Sequence, residues 1–159
     1  MKISLPDFPV EGGCVCGALS YRLKGPPLYV MACHCLTCQC LSGSDYGLTL
    51  PVPRENFALL TGKVAQCHRT AESGRVTPGF FCPECGTRMW HEPPFARRTI
   101  HVRAGTLDDP SWASPVGHMW LSRKKAHVII PPDVLRFEAQ AQAGDREALI
   151  AAWEAAIHP

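Results

Sequence analysis

The chain has 159 residues, 46% apolar and 19% charged, with a formal net charge of +2. That length and balance describe one globular domain, residues 1–159, with a single core, and exclude a disordered chain. Interspersed charge excludes a nucleic-acid or membrane field, since Arg97-Arg98 and Arg123-Lys124-Lys125 are short runs that read as solvated faces. No stretch approaches the roughly 20 apolar residues of a membrane span. Met1 to Val10 lacks the pattern of a signal peptide, so a cytoplasmic protein is expected, with neither nucleic acid nor membrane as partner.

Fifteen prolines and thirteen glycines cut the chain into short segments whose apolar period is mostly two. Leu19, Tyr21 and Leu23 alternate with polar residues, as do Tyr46, Leu48 and Leu50, and later Ile100, Val102 and Ala104. Leu28 to Ala32, Phe57 to Leu60, Gly79 to Phe81 and Val128 to Ile130 are short apolar runs bounded by turn residues. Together they predict a mainly β protein of short stacked strands. A short helical turn is expected after Cys38, ended by Ser42-Gly43-Ser44. Near the C-terminus Leu149, Ile150, Trp153 and Ile157 recur at three- and four-residue steps, predicting one helix with Asp145 as its N-cap.

Seven of the nine cysteines form three clusters: Cys14 and Cys16, then Cys33, Cys35 and Cys38, then Cys82 and Cys85. In a reducing compartment such spacings point to metal ligands rather than disulfides. Zinc takes four ligands, so seven thiols make one closed site and one site with an open position. Cys82-Pro83-Glu84-Cys85-Gly86 is a zinc-knuckle pattern, because a tight turn brings two thiolates three residues apart onto one ion. Its partners are read as Cys14 and Cys16, two apart on an extended strand and therefore pointing to one side, with a bend allowed at Gly17.

Cys33 and Cys35 are read in the same way as sharing a strand face, with Cys38 one turn on. His34 between them then points away and is not counted as a ligand. Cys40 stands close enough to close the site as a fourth thiol, an alternative left open here. Three thiolates on Zn²⁺ leave a negatively charged site, a poor generator of hydroxide but well suited to holding another thiol in its deprotonated form. The chemistry expected is a reaction at the sulfur of a small thiol.

The chain resembles the glutathione-dependent formaldehyde-activating enzyme family. The likeness lies in Gly13-Cys14-Val15-Cys16-Gly17, Cys33-His34-Cys35-Leu36-Thr37-Cys38-Gln39, Gly43-Ser44, Phe81-Cys82-Pro83-Glu84-Cys85-Gly86-Thr87 and Val102 to Pro110. It implies an Mss4-like fold of stacked antiparallel β-sheets with zinc knuckles, and two Zn²⁺ per chain. Cys14, Cys16, Cys82 and Cys85 would hold the structural zinc, and Cys33, Cys35 and Cys38 the catalytic one. It also implies a carbon–sulfur lyase that joins glutathione to formaldehyde as S-hydroxymethylglutathione. Two departures stand out: Gln39-Cys40-Leu41 where the family is often basic or polar, and Ala126-His127 where it often carries a tryptophan.

Further candidates around the metal are not ranked by the sequence. His68, His91, His101, His118 and His127 are all possible proton carriers, and Arg69, Arg88 and Arg103 possible partners for glutathione's carboxylates. Trp90, Trp112 and Trp120 are expected in the packing, and Cys67 as a buried apolar thiol. Two non-enzymatic readings remain beside the lyase. One is a zinc-stabilised module that binds a protein; the other is a thiol sensor using Cys38 and Cys40.

Overall fold

The computed structural model describes residues 2–70 and 74–158. Eleven short strands carry the fold: β1 Val10–Gly13, β2 Ser20–Leu23, β3 Met31–Cys33, β4 Gly47–Pro53, β5 Phe57–Thr61 and β6 Ala65–Thr70, then β7 Val76–Phe81, β8 Arg88–His91, β9 Thr99–Arg103, β10 Gly117–Met119 and β11 Leu135–Phe137. Two helices join them, α1 Leu36–Ser42 and α2 Asp145–Ile157. The strands form a three-stranded sheet in the order β1-β2-β5 and an eight-stranded sheet in the order β11-β10-β3-β4-β9-β8-β7-β6. Pairing is antiparallel except at β10, which runs parallel to both β3 and β11. No helix among the described residues is long and apolar enough to cross a membrane.

The alternation in residues 19–23 puts Leu19, Tyr21 and Leu23 wholly inside. An aromatic series then joins the two sheets, with Tyr21 stacked on Phe57 at 5.4 Å, Phe57 against Trp90 at 4.9 Å and Trp90 stacked on Phe80 at 5.2 Å. Each such pair adds about 0.5–1.5 kcal/mol beyond burial. The Tyr21 hydroxyl is hydrogen-bonded to Thr106 at 2.9 Å, so the buried phenol keeps a partner.

Central β4 and β9 depart from simple alternation, because both faces of the large sheet are covered there. Leu50, Ile100 and Val102 are buried as expected, and Val52 with them, but so are Thr49, Thr99 and Arg103. Tyr46 and Leu48 are only half-buried. One face of the sheet is therefore apolar core and the other is polar and enclosed. The run Val128 to Ile130 is not a strand, and Ile129 is 90% exposed, since no neighbouring strand offers a ladder there.

Helix α2 buries Leu149, Trp153 and Ala156, while Ile150 and Ile157 pack half-buried at the core's margin. Its N-cap is Gly144, one residue before the expected Asp145, whose carboxylate instead accepts from the Gln142 amide at 2.7 Å. The helix sits directly on β10, where a side chain at Gly117 would meet Leu149 at 2.5 Å. Trp153→Ala is expected to cost about 3–5 kcal/mol by cavity formation, whereas Ile129→Ser should change stability by less than about 0.5 kcal/mol. Urea unfolding of both variants checks the contrast.

Candidate metal centres and pocket

The first and third cysteine clusters meet at the end of β1. Cys14 and Cys16 lie not on a strand but in a turn, in which the Gly17 amide donates to the Cys14 carbonyl at 3.0 Å and Gly17 takes φ 75°. Residues 82–86 make a turn one residue longer, with the Gly86 amide donating to the Cys82 carbonyl at 2.9 Å and φ 74° at Gly86. A left-handed φ at the residue after each pair closes the turn, which glycine permits without strain. The Sγ atoms of Cys14, Cys16, Cys82 and Cys85 all lie within 4.8 Å of one another.

Zinc–sulfur bonds of about 2.3 Å in a tetrahedron set the sulfurs about 3.8 Å apart. Sγ of Cys14 is 3.4 Å from that of Cys16, which is 3.7 Å from that of Cys82, so the donor set fits a closed zinc site. Backbone and hydroxyl donors face the sulfurs. The Leu19 amide donates to Cys14 at 3.2 Å, and Thr87 pulls the Cys85 thiol down to about 6 by donating to it. Such donors favour thiolates, the form a metal requires.

The middle cluster is built at a strand-to-helix junction. Strand β3 ends at Cys33, and the His34 amide donates to the Met119 carbonyl of β10 at 2.9 Å. Cys35 is the N-cap of α1, with its sulfur accepting from the Cys38 amide at 3.4 Å. The helix thus starts before Cys38 rather than after it, and places Cys38 in its first turn. It ends at Gly43 in the left-handed conformation, φ 60°, within the expected Ser42-Gly43-Ser44 stop. The Sγ atoms of Cys33, Cys35 and Cys38 lie within 4.8 Å of one another, all three residues buried. Cys40 is exposed and stands outside this group.

His34 turns to the opposite side, where its Nε2 is 2.9 Å from His118 Nδ1 and its ring lies against Tyr46. Gln39 ties the start of α1 in place by donating to the carbonyls of His34 at 2.7 Å and Arg123 at 3.0 Å. His127 is at the surface with Asp45, and His68 is exposed beside Gln66. These histidines are apart from the sulfurs.

Across the large sheet, strand register assembles the polar face. Cys33 pairs with Gly47 and Met119, Thr49 with Arg103, His101 with His91, and Arg69 with Thr77. Paired residues share a face, so these side chains converge on one side. A cavity of about 90 Å³ opens there, lined by all three sulfur residues together with Arg69, His91 and His101. A larger one of about 390 Å³ adjoins it through Thr49, Arg75, Phe95 and Met119, and reaches Arg146 at the start of α2. Phe95, 63% exposed, lies under the Arg75 guanidinium at 4.6 Å and forms part of the shared wall.

The electrostatics of the face are one-sided. The Cys33 and Cys35 thiols donate to Cys38 and, with the charges of Arg103 and Arg69, hold Cys38 well below the usual thiol range. Those same contacts push Cys33 up. Burial, then the charges of Arg146 and Arg103, push His101 down to about 3. His91 is pushed well down by burial first and then by His101 and the arginines, so both imidazoles are neutral at pH 7.

Several residues the sequence left unranked are sorted by this geometry. Trp90 and Trp112 pack in the core, Trp112 edge-on to Phe8, but Trp120 lines the pocket. Its backbone is left-handed at φ 60°, a conformation invisible to periodicity. Cys67 is half-buried beside the Arg88 guanidinium over Gly79, not in the apolar core. Arg75, Phe95 and Gln140 had no sequence signal, since each reaches the pocket from a loop.

Comparison with known proteins agrees with this architecture. A crystal structure of a Rhodobacter sphaeroides protein superposes with a TM-score of 0.50 at 14% identity, covering 80% of this chain and 98% of that one, a likeness of fold. A Halomonas elongata protein named "Putative glutathione-dependent formaldehyde-activating enzyme" is 26% identical over 157 residues, 93% of this chain and 96% of its own length. The family model described as glutathione-dependent formaldehyde-activating enzyme matches residues 9–123, which span both cysteine clusters and the polar face, and the chain belongs to that family.

Proposed function

We propose that the chain is a carbon–sulfur lyase acting reversibly on a small thiol and an aldehyde, with glutathione and formaldehyde as the pair and S-hydroxymethylglutathione as the product. The observation that carries this reading is the gathering of three buried sulfurs, and no fourth among the described residues, in the lining of a pocket. Cys33, Cys35 and Cys38 would hold a zinc ion, which when bound would supply a borderline-soft cation that favours the deprotonated form of an incoming thiol. A second zinc, held by Cys14, Cys16, Cys82 and Cys85, is structural, fastening the end of β1 to the turn between β7 and β8.

The chain's own residues do the rest. Met119 and Trp120 wall the sulfur end of the pocket and limit water there. Arg75 and Arg146, spaced along the larger cavity, match the carboxylates of an extended thiol tripeptide. Holding both reactants in one small cavity replaces a bimolecular encounter by an oriented one. The sulfur–carbon bond forms as the carbonyl π bond opens, and the proton lost by the thiol ends on the new hydroxyl. Nδ1 of His91 is buried without a partner in the wall of this cavity and belongs to a neutral ring, and we assign it the relay of that proton, taken up from the thiol and passed to the new alkoxide so that the ring ends neutral again.

Two measurements test these assignments. Calorimetric titration should show saturable glutathione binding to the wild type and none to Cys35→Ala, whose far-UV spectrum should stay native because the four-cysteine site is untouched. Binding that survives in Cys35→Ala would contradict the reading. His91→Gln should lower turnover of the thiol–aldehyde adduct by about 10²-fold while leaving glutathione affinity unchanged. Equal losses of affinity and turnover would make His91 a packing residue.

A further inference from the structure

Three arginines stand near the sulfur cluster without a carboxylate partner among the described residues. Arg22 and Arg54 find carboxylates at the surface, Glu11 and Glu92. Arg88 and Arg103 do not: Nε, Nη1 and Nη2 of Arg88 and both Nη atoms of Arg103 are shielded from solvent and unpartnered, as is Nε of Arg69. Arg103 is only 8% exposed. Besides burial, the strongest influences on Arg88 are the charges of Arg103 and Arg69 and of the Cys67 and Cys38 sulfurs, so the three cations act on one another across the polar face.

Two glycines make room for this arrangement. A Cβ at Gly47 would come within 2.6 Å of Arg103 Nη1 and 3.5 Å of Cys38 Sγ. A Cβ at Gly79 would come within 2.6 Å of Arg88 Nη2. Both hollows lie on the polar face, Gly47 opposite Cys33 and Gly79 opposite Cys67 and His91. Guanidiniums are seated beside the sulfurs where any larger residue would displace them.

Bringing like charges together away from solvent is unfavourable unless opposite charge is supplied. Three thiolates supply part of it, but a divalent cation bound to those thiolates cancels most of that compensation. What enters beside the sulfurs must then bring negative charge back. We propose that Arg69, Arg88 and Arg103, the first two half-buried and the third buried, form a cationic bed that selects an anion as the group entering the three-cysteine site, favouring thiols with a further negative charge over neutral or cationic ones. This inference rests on the reading of that site as the thiol-binding one. Arg69, in the cavity wall, faces the ligand, while Arg88 and Arg103 act through the field behind it and position rather than react.

The test compares 3-mercaptopropionate with cysteamine, thiols of similar size and opposite second charge, titrated calorimetrically into the zinc-loaded full chain at fixed ionic strength. The wild type should bind 3-mercaptopropionate tighter by about tenfold or more. Arg88→Gln, which alters no candidate zinc ligand, should bring the ratio towards unity with zinc content unchanged, and Arg88→Lys should restore it. Should Arg88→Gln not fold, Arg69→Gln at the cavity wall serves the same purpose. A wild-type ratio near unity, or one untouched by the Gln variants, overturns the proposal. If neither thiol binds, the thiol reading fails by itself, and thiocyanate is titrated in their place. Saturable thiocyanate binding weakened by Arg88→Gln then upholds the bed, and its absence overturns it.

Discussion

An eight-stranded sheet has two faces, and only one of them packs on this chain's apolar core. The constraint that shapes the rest is what the other face must hold. Across it the strand register sets Cys33, Thr49, Arg103, His101, His91, Thr77 and Arg69, residues too polar for a core and too enclosed for a surface. Such a face is stable only if its charges compensate one another, and the contact between Arg103 and Cys38 is where that compensation is most direct. The strand-to-helix junction at Cys33–Cys38, the glycine at position 47 and the neutral imidazoles all follow from it.

The two cysteine sites divide the work of the fold. The four-sulfur site joins two glycine-closed turns from distant parts of the chain, residues 14–17 and 82–86. It anchors the small sheet to the large one at the edge, while the Tyr21–Phe57–Trp90–Phe80 series does so through the core. The three-sulfur site instead lines a cavity whose wall also holds Arg69 and Arg75. One cluster closes on itself and the other faces a space of ligand size. That difference, more than the identity of the ligands, is what the proposed assignment of an anchoring role to one and a reactive role to the other rests on.

Much of this was legible in the sequence because cysteine spacing is a local signal. The grouping into four and three, the β class, the C-terminal helix and the stop at Gly43 were read from residues close together. The local geometry was less legible: Cys14 with Cys16, and Cys33 with Cys35, converge through turns and a helix cap rather than along an extended strand. The arginines illustrate the limit best. Arg69, Arg88 and Arg103 come from three strands, and their convergence depends on a register that no periodicity encodes. Trp120 and Phe95 were out of reach for a related reason, since a left-handed residue and a loop decide where they point. Val128 to Ile130 shows the opposite error, an apolar run that reads as a strand but has no neighbour to pair with.

The central claim is that the three buried sulfurs form a metal centre separate from the four-sulfur one. Zinc per chain, by elemental analysis of untagged protein purified under reductant, tests it most directly. Two zinc ions per chain, one for each sulfur group, is the result the account predicts. A single zinc that survives Cys35→Ala but is lost in Cys82→Ala would contradict it, leaving the polar face without the ion that the proposed reaction uses.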